Sequence, residues 1–240
     1  MTARHMLLAF ETSQRKSSVA VGSLSIGADC GDLISESIDT SDRTVEDVLP
    51  AIERLCARAG ITREHIGAVA LNGGPGGFSG LRIAHAAAQV IAESMSIPIL
   101  QISAAVVATE SARDAGLLTA KQTVWVALAA KNDGCWMAKV SNVNLESMYP
   151  EEVAVRTIAQ WPLKPGEVLL ADEHLPESWR ARALELNIKI IALEPTAAAV
   201  LRVARRMLAA HGTVEPEHAL VVYPREAEAV RLWRERHGTP

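Results

Sequence analysis

The chain has 240 residues, enough for one large domain or two small ones. Its composition, 49% apolar and 22% charged, is that of a globular protein, and a net charge of −4 argues against a surface built to grip nucleic acid. Only 4% of the residues are aromatic, which disfavours an array of base-stacking side chains.

The first half of the chain alternates strand and helix patterns. Five apolar runs between turn residues predict strands over 5–10, 17–24, 32–38, 66–71 and 97–102. Apolar residues in three- and four-residue steps predict helices over 45–59, 79–96 and 104–113. Gly60 is the expected C-cap of the first helix, and Ser79 the expected N-cap of the second.

The pattern restarts after Gly116. Strands are predicted over 123–130, 135–140, 167–171 and 188–193, the first two joined by the tight turn N-D-G. Helices are predicted over 176–186 and 196–210, and the tail over 221–236 is expected to be partly a surface helix. The sequence therefore predicts an α/β protein with mixed sheets and two lobes, residues 1–110 and 111–240.

The cysteines, the histidines and the N-terminal segment restrict which metal sites, disulfides and membrane segments the chain is expected to have. Three scattered cysteines without C-x-x-C spacing favour free thiols in a reducing compartment. None of the seven histidines lie three or four residues apart, so no helical metal pair is expected. The apolar run that ends at Glu11 is too short for a signal peptide or a membrane span. These features predict a cytoplasmic protein with no metal and no membrane partner.

Four segments carry a family pattern in order and spacing. They are L-L-A-F-E-T-S-x₄-S-V-A-V (7–21), R-T-V-E-D-V-L-P-A-I (43–52), G-G-P-G-G-F-S-G-L-R-I (73–83) and Y-P-R (223–225). Together they resemble the TsaB (YeaZ) family, accessory proteins of bacterial tRNA threonylcarbamoyladenosine synthesis. The order agrees over the whole chain, although the second half matches loosely.

The resemblance implies a fold and a role. The expected fold is the two-lobed actin/sugar-kinase-like (ASKHA) fold, with mixed sheets flanked by helices. The expected role is a non-catalytic scaffold and activator of the TsaD catalytic subunit, which with the TsaE ATPase transfers threonylcarbamoyl to the tRNA adenosine next to the anticodon. The family also forms homodimers when alone, and contact with tRNA is expected to be only indirect.

The resemblance also locates a degenerate nucleotide site. Proteins of this fold clamp phosphates between one hairpin of each lobe, with an Asp near the metal. In the first lobe Glu11 stands where that Asp would be, and Thr12 and Ser13 are expected to make weak nucleotide contacts. In the second lobe Ala129 offers no carboxylate. We therefore expect no intrinsic cofactor, and ATP or ADP only at the interface with TsaD.

The glycine-rich loop lies between a predicted strand and a predicted helix. It comprises Gly73, Gly74, Pro75, Gly76 and Gly77. Its spacing fits neither the Rossmann nor the Walker phosphate pattern, so a sharp turn that positions the next helix is favoured over phosphate binding. Arg82 opposes the dipole at the start of this helix, and a salt bridge or a carbonyl contact that holds the loop is its expected role.

Two helices carry the stripes that the resemblance assigns to the dimer surface. The predicted partner-facing residues are Val45, Val48, Leu49, Ile52 and Leu55 on the first helix, and Leu81, Ala84, His85 and Ala88 on the second. Ordinary core packing of the same stripe is the alternative. Thr44, His85 and Ala129 depart from the family pattern, and a satisfied surface histidine is the favoured interpretation of His85.

An enzyme is the alternative function. A glycopeptidase-like peptidase would need a nucleophile with a base, and Ser13, Ser17 and Ser79 have no recognisable histidine partner in the sequence. A stand-alone ATPase of the actin-like fold is disfavoured by Ala129.

Overall fold

The computed structural model describes residues 4–25, 33–38, 48–119, 122–141, 150–208, 213, 215–224, 233 and 236–237. Within these residues it shows two five-stranded mixed sheets with helices on their faces. Val45 and Thr44, and most of the predicted helix in the tail, lie outside the described residues.

The first sheet is built by the first half of the chain. Its strands are β1 (Met6–Glu11), β2 (Ser17–Ser23), β3 (Ile34–Ile38), β4 (Ile66–Gly74) and β5 (Ile99–Ser103). They lie in the order β3-β2-β1-β4-β5. β1, β2 and β3 form an antiparallel meander, whereas β4 and β5 run parallel to β1.

The second sheet repeats this arrangement. Its strands are β6 (Val124–Ala129), β7 (Cys135–Val140), β8 (Glu152–Arg156), β9 (Val168–Ala171) and β10 (Lys189–Ala192). The order β8-β7-β6-β9-β10 and the strand directions match those of the first sheet. β8 was not predicted from the sequence. Its side chains are largely exposed or half-buried, so the apolar signal of a strand is weak.

The helices form layers around and between the sheets. They are α1 (Val48–Ala59), α2 (Phe78–Met95), α3 (Ala104–Asp114), α4 (Glu177–Glu185) and α5 (Ala197–Leu208). α1 and α2 cover one face of the first sheet, and α5 covers the other face. α3 packs on both sheets, and α4 covers the outer face of the second.

The strand β1 shows why the first sheet is buried on both faces. Leu8 and Phe10 point into the cluster beneath α1 and α2, while Leu7 and Ala9 point towards α5. Because side chains alternate along a strand, a strand covered on both faces reads as a continuous apolar run. α5 comes from the second half of the chain but packs on β1 and β2. The predicted lobe boundary at residue 110 therefore stays a prediction.

The C-terminus of α1 agrees with the sequence prediction, whereas the N-terminus of α2 differs from it. Gly60 follows α1 with a positive φ of 66°, as expected for a glycine at a helix C-terminus. α2 begins at Phe78 with Gly77 as N-cap, so the prediction of Ser79 as N-cap is wrong. The reason is tertiary, because the Gly77 amide donates to the Ser13 carbonyl at 2.7 Å and fixes the chain before Ser79 is reached. Among the helices of the described residues, none is both long and apolar enough to cross a bilayer.

Candidate functional site

A buried polar network lies where β1 and β4 end side by side. The Glu11 carboxylate accepts hydrogen bonds from the Ser13 amide at 2.7 Å, the Ser13 hydroxyl at 2.6 Å and the Asn72 side-chain amide at 2.6 Å. Asn72 also accepts from the Gly74 amide at 2.9 Å. All three side chains are buried, so the network joins the turn after β1 to the glycine-rich loop after β4.

The glycine-rich loop packs directly on the turn after β1. A Cβ at Gly76 would lie 2.6 Å from Ser13, and a Cβ at Gly80 would overlap the Thr12 carbonyl oxygen. The Thr12 hydroxyl donates to the Gly80 carbonyl at 2.8 Å. These glycines are therefore required for close backbone approach, and donors of each segment bond to acceptors of the other.

The other side of the loop contacts the segment near the C-terminus. Gly74 has a φ of 99° and is followed by a cis peptide bond to Pro75. A Cβ at Gly74 would lie 2.6 Å from the Val222 carbonyl oxygen, and a Cβ at Gly73 would enter the Gln101 side chain. The Val222 amide donates to the Gly73 carbonyl at 2.8 Å. The loop is thus enclosed by chain on both sides.

This packing changes the meaning of the predicted nucleotide contacts at Glu11, Thr12 and Ser13. All three are buried, and their side chains bond within the protein. Burial raises the pKa of the Glu11 carboxyl, and the hydrogen bonds from Ser13 and Asn72 oppose that rise. A nucleotide would have to displace these internal hydrogen bonds in order to contact the three side chains, so the predicted contacts stay predictions.

The equivalent position of the second lobe, Ala129 at the end of β6, receives a carboxylate from the neighbouring strand. Asp172 follows β9 and accepts from the Ala129 amide at 3.1 Å and the His174 amide at 3.2 Å. Burial raises the pKa of Asp172, against the effect of these backbone donors and of His174. Asp172 is half-buried, so this carboxylate is more open than Glu11.

A cleft of about 340 Å³ separates the two strand ends. Its walls include Gly76 and Gly77 of the first lobe and Ala129 and Asp172 of the second. Exposed ion pairs bridge the lobes beside it, Arg15 with Glu173 at 3.0 Å and Lys16 with Glu194 at 2.7 Å. Among the described residues, no three His, Cys, Asp or Glu side chains converge as metal ligands would.

The predicted partner-facing stripes of α1 and α2 are mostly core. Seven of the eight residues that fall in the described part of the chain are buried in the monomer: Val48, Ile52, Leu55, Leu81, Ala84, His85 and Ala88. The exception is Leu49, whose exposed fraction is 59%. The structure therefore corrects the prediction, because α1 and α2 pack on the first sheet through this stripe. A partner could reach this stripe only at Leu49 and, within the groove described next, at Ile52, so most of its contacts would fall on other side chains of the two helices.

Those other side chains form an apolar groove. α1 and α2 lie side by side on the first sheet, and a groove of about 970 Å³ opens between them. Its apolar walls include Leu49, Pro50, Cys56, Ile61, Ile91 and Met95. On the outer face of α2, Val90 is 66% exposed. The groove and Val90 form what we call the α1–α2 surface, which comprises these seven residues.

His85 and Arg82 also differ from their predicted roles. His85 is buried, not a surface residue, and its Nδ1 donates to the Leu81 carbonyl at 2.8 Å. Burial lowers the pKa of His85, although the Leu81 and Leu220 carbonyls oppose this. Arg82 does not bond to the glycine-rich loop; its guanidinium stacks on Phe78 and its Nε donates to the Tyr223 hydroxyl at 2.9 Å.

Comparison with known proteins finds similarity both by sequence and by structure. The family model described as TsaD, tRNA N6-adenosine threonylcarbamoyltransferase, matches residues 38–155. YeaZ from Pseudomonas aeruginosa superposes with a TM-score of 0.70 at 25% identity, covering 93% of this chain and 100% of that chain. An uncharacterized Pseudomonas aeruginosa protein with similarity to peptidase YEAZ gives a TM-score of 0.68 at 25% identity, covering 94% of this chain and 100% of that one. No curated protein sequence matches significantly.

The two sheets of identical topology, with helices on their faces, confirm the predicted α/β class with mixed sheets, and the fold is that of the YeaZ structure. Over residues 38–155 the chain is similar to the TsaD family, and over nearly its whole length it is similar to YeaZ from Pseudomonas aeruginosa. Both similarities agree with the resemblance found in the sequence.

Sequence reasoning missed Asn72 and Asp172. Asn72 lies near the end of β4 and Asp172 directly follows β9, which are positions where polar side chains of neighbouring strands meet. The sequence therefore carried a signal for a polar side chain at each strand end. It did not indicate which residue each would contact, because Asn72 lies 61 residues from Glu11 and Asp172 lies 43 residues from Ala129.

Proposed function

We propose that this protein is a non-catalytic scaffold and activator of a TsaD-type catalytic subunit. In this role it supports the transfer of threonylcarbamoyl to the tRNA adenosine next to the anticodon. The observation that carries the proposal is the α1–α2 surface, which combines an apolar groove with a large exposed side chain on the adjoining helix. An apolar surface of this kind on a globular domain is typical of a protein interface.

The surface suits a helical partner. α1 and α2 present two walls on one face of a rigid sheet, and helices of a partner could enter the groove between them. Two helices from each protein would then form a four-helix contact with a hydrophobic centre. The relation to TsaB and YeaZ supports a TsaD-type subunit as the partner, and a second copy of this chain is the contact expected in its absence.

The mechanism would be indirect. A partner is activated only if its active conformation binds better than its inactive one, so the scaffold must contact the two conformations differently. The buried network at Glu11 and the packed glycine-rich loop keep α2 fixed relative to the sheet, which gives the partner a rigid surface. Catalytic residues, metal and most of the nucleotide site would belong to the TsaD-type subunit, and ATP or ADP would lie at the interface. A TsaE-type ATPase would complete the assembly, and tRNA would be held mainly by the other subunits.

The binding experiment uses two substitutions that leave the core intact. Leu49→Asp and Val90→Asp place charge on exposed positions of the α1–α2 surface. We expect each to weaken binding of the TsaD-type subunit from the same organism by more than tenfold in sedimentation or calorimetry, because an unpaired charge would be buried. Leu184→Asp is the matched control, since Leu184 is 83% exposed on α4 of the other lobe. Unchanged binding by both surface variants would contradict the proposal.

Cys56 provides a second measurement on the unmodified chain. It lies in a wall of the groove and is half-buried, whereas Cys135 is fully buried. We expect the TsaD-type subunit to slow alkylation of Cys56, measured by peptide mass spectrometry, because the partner would cover the groove. Equal alkylation rates with and without saturating partner would place the contact elsewhere.

The activity test follows from the binding test. With the TsaD-type subunit, the TsaE-type ATPase, tRNA and threonylcarbamoyl donor, wild type should restore formation of the modified adenosine and Leu49→Asp should not.

For the peptidase alternative, the histidine contacts resolved in the structure give no support. His65 bonds to Thr62, His85 bonds to a carbonyl, and His174 lies beside Glu173. None of these contacts is the pairing with a serine or cysteine nucleophile that a peptidase requires.

A further inference from the structure

Arg82 is held by two aromatic side chains on the surface of α2. Its guanidinium carbon lies 3.7 Å from the centre of the Phe78 ring, and its Nε donates to the Tyr223 hydroxyl at 2.9 Å. The Phe78 and Tyr223 rings are themselves 5.6 Å apart. Stacking and a hydrogen bond together fix the plane and the direction of the guanidinium, which an exposed arginine normally lacks.

The terminal nitrogens of Arg82 remain free to bind something else. Among the described residues neither Nη1 nor Nη2 has a hydrogen-bond or ion-pair partner. Phe78 is 54% exposed and Tyr223 is 41% exposed, so this end of α2 is open to solvent. A planar guanidinium with two free donors matches the two oxygens of a carboxylate.

The position of Arg82 links it to the α1–α2 surface. Steps of four residues along α2 lead from Arg82 to Ala86 and then to Val90. All three are exposed, so they follow one another along the outer face of the helix. Val90 belongs to the α1–α2 surface, whereas Ile91, nine residues from Arg82, faces the groove on the opposite side of α2. Arg82 therefore adjoins the surface proposed for the partner through Val90, at the rim and away from the groove, where charged contacts are usual.

Two observations favour a protein carboxylate over an RNA phosphate. Arg82 is the only Lys or Arg in α2, whereas binding to a phosphate backbone relies on several cations together. The whole chain also carries a net charge of −4. A single pre-oriented arginine suits one acidic side chain.

We propose that Arg82 binds an aspartate or glutamate side chain of the TsaD-type subunit, with Phe78 and Tyr223 as positioning residues that orient its free nitrogens. This inference rests on the proposed function, because it specifies one contact of the same interface. The contact makes the interface selective for a partner with an acidic group at the matching place. A partner with a neutral or basic group there would leave the arginine unpaired.

Binding of the full-length chain to the TsaD-type subunit from the same organism tests this. We expect Arg82→Ala to raise the Kd about tenfold, and Arg82→Lys to restore little of it because lysine lacks the planar pair of donors. Tyr223→Phe removes one hydroxyl and should raise the Kd about threefold. Arg182→Ala on α4 makes the same charge change on the other lobe and should leave the Kd unchanged.

Two further readouts separate a bound carboxylate from a structural effect. Thermal unfolding of Arg82→Ala should show only a small loss, because the contacts with Phe78 and Tyr223 lie at the surface, where they contribute little to stability. The Kd of Arg82→Ala should depend less steeply on salt concentration than that of the wild type. In addition, Arg82→Glu should be rescued by an acidic-to-arginine change in the partner, located by cross-linking.

The outcomes distinguish this inference from the proposed function. If the wild type does not bind the TsaD-type subunit, the proposed function fails. If the wild type binds and Arg82→Ala binds within twofold of it, only the role of Arg82 is overturned. Weakened homodimer formation without an effect on the TsaD-type subunit would assign the contact to a second copy. Weakened tRNA binding alone would assign it to a phosphate. Either result would overturn the inference.

Discussion

The two lobes share one topology but end their first strands in different ways. In the first lobe, β1 ends at Glu11, which is fully buried and bonded to Ser13 and Asn72. In the second lobe, β6 ends at Ala129, whose amide is bonded by Asp172 from the next strand. In both lobes a carboxylate of the chain itself occupies amide donors at the strand end.

The difference lies in what each carboxylate holds. Glu11 ties three segments together, because Asn72 lies next to the glycine-rich loop and that loop precedes α2. Asp172 holds only a local turn and the end of β6, and it borders an open cleft. The same strand end is thus a structural junction in one lobe and a minor contact in the other. Four substitutions test this contrast, beginning with the largest expected effect.

The junction in the first lobe should not tolerate a side chain at Gly80. In Gly80→Ala the new Cβ would overlap the Thr12 carbonyl oxygen, which belongs to the backbone and cannot move independently. We expect a loss of about 3 kcal/mol or more in the free energy of unfolding, measured in urea. Gly77→Ala is the matched control, because its Cβ would lie 3.4 Å from the Ser13 oxygen and only the N-cap preference is lost. Equal losses in the two variants would contradict the packing described.

Asn72→Ala should cost about 2–3 kcal/mol of unfolding free energy, because it leaves one Glu11 oxygen and the Gly74 amide without a partner in a buried place. Unsatisfied buried polar groups carry a large desolvation penalty. Chemical denaturation of the purified variant measures the loss. Hydrogen exchange should also show faster exchange of the Gly74 amide. A loss under about 0.5 kcal/mol, the size of an ordinary surface substitution, would mean that water replaces Asn72 readily.

Glu11 should give the fold a pH dependence that a Glu11→Gln variant lacks. Burial raises the pKa of Glu11 above its ordinary value of 4.5, so the folded chain binds a proton at this site more tightly than the unfolded chain. The stability contributed by this group is therefore fully present below pH 4.5 and is lost as pH rises through the folded pKa. Each pH unit between the unfolded and the folded pKa corresponds to about 1.4 kcal/mol of this loss.

The measurement is the unfolding free energy of the wild type minus that of Glu11→Gln at several pH values. We expect this difference to fall as pH rises, because only the wild type has a carboxyl group that must lose its proton in a buried place. A difference that grows with pH would mean that folding lowers the pKa of Glu11, and it would contradict this prediction.

The second lobe should respond least. Asp172→Ala removes a half-buried carboxylate from the Ala129 and His174 amides, which border the cleft and can bind water instead. We expect a loss of about 1 kcal/mol or less in the unfolding free energy, because solvated hydrogen bonds contribute little net stability. A loss as large as that of Asn72→Ala would show that the two strand ends are equally important, and the contrast between the lobes would disappear.

The sequence by itself determined most of the elements and the α/β fold class, and it indicated the family. In the part of the chain that the structure describes, strong apolar periodicity predicted nine of the ten strands and all five long helices at close to their observed bounds, because local pattern and burial agree at those places. The four family segments, read together, indicated a TsaB/YeaZ-like protein, and the structural comparison supports that conclusion. The weak strand β8 escaped because its exposed residues carry little apolar signal.

Only the tertiary structure decided which side chains are exposed and can contact a partner. The apolar stripe of α1 and α2 has the same periodicity whether it faces a sheet or a partner, so the sequence could not tell that Leu55 and Ala88 are core while Leu49 is exposed. The same holds for the pairs Glu11 with Asn72 and Arg82 with Tyr223, whose members are 61 and 141 residues apart. Contacts between residues so distant in the chain exist only after the sheets and helices have packed, and no local pattern records them.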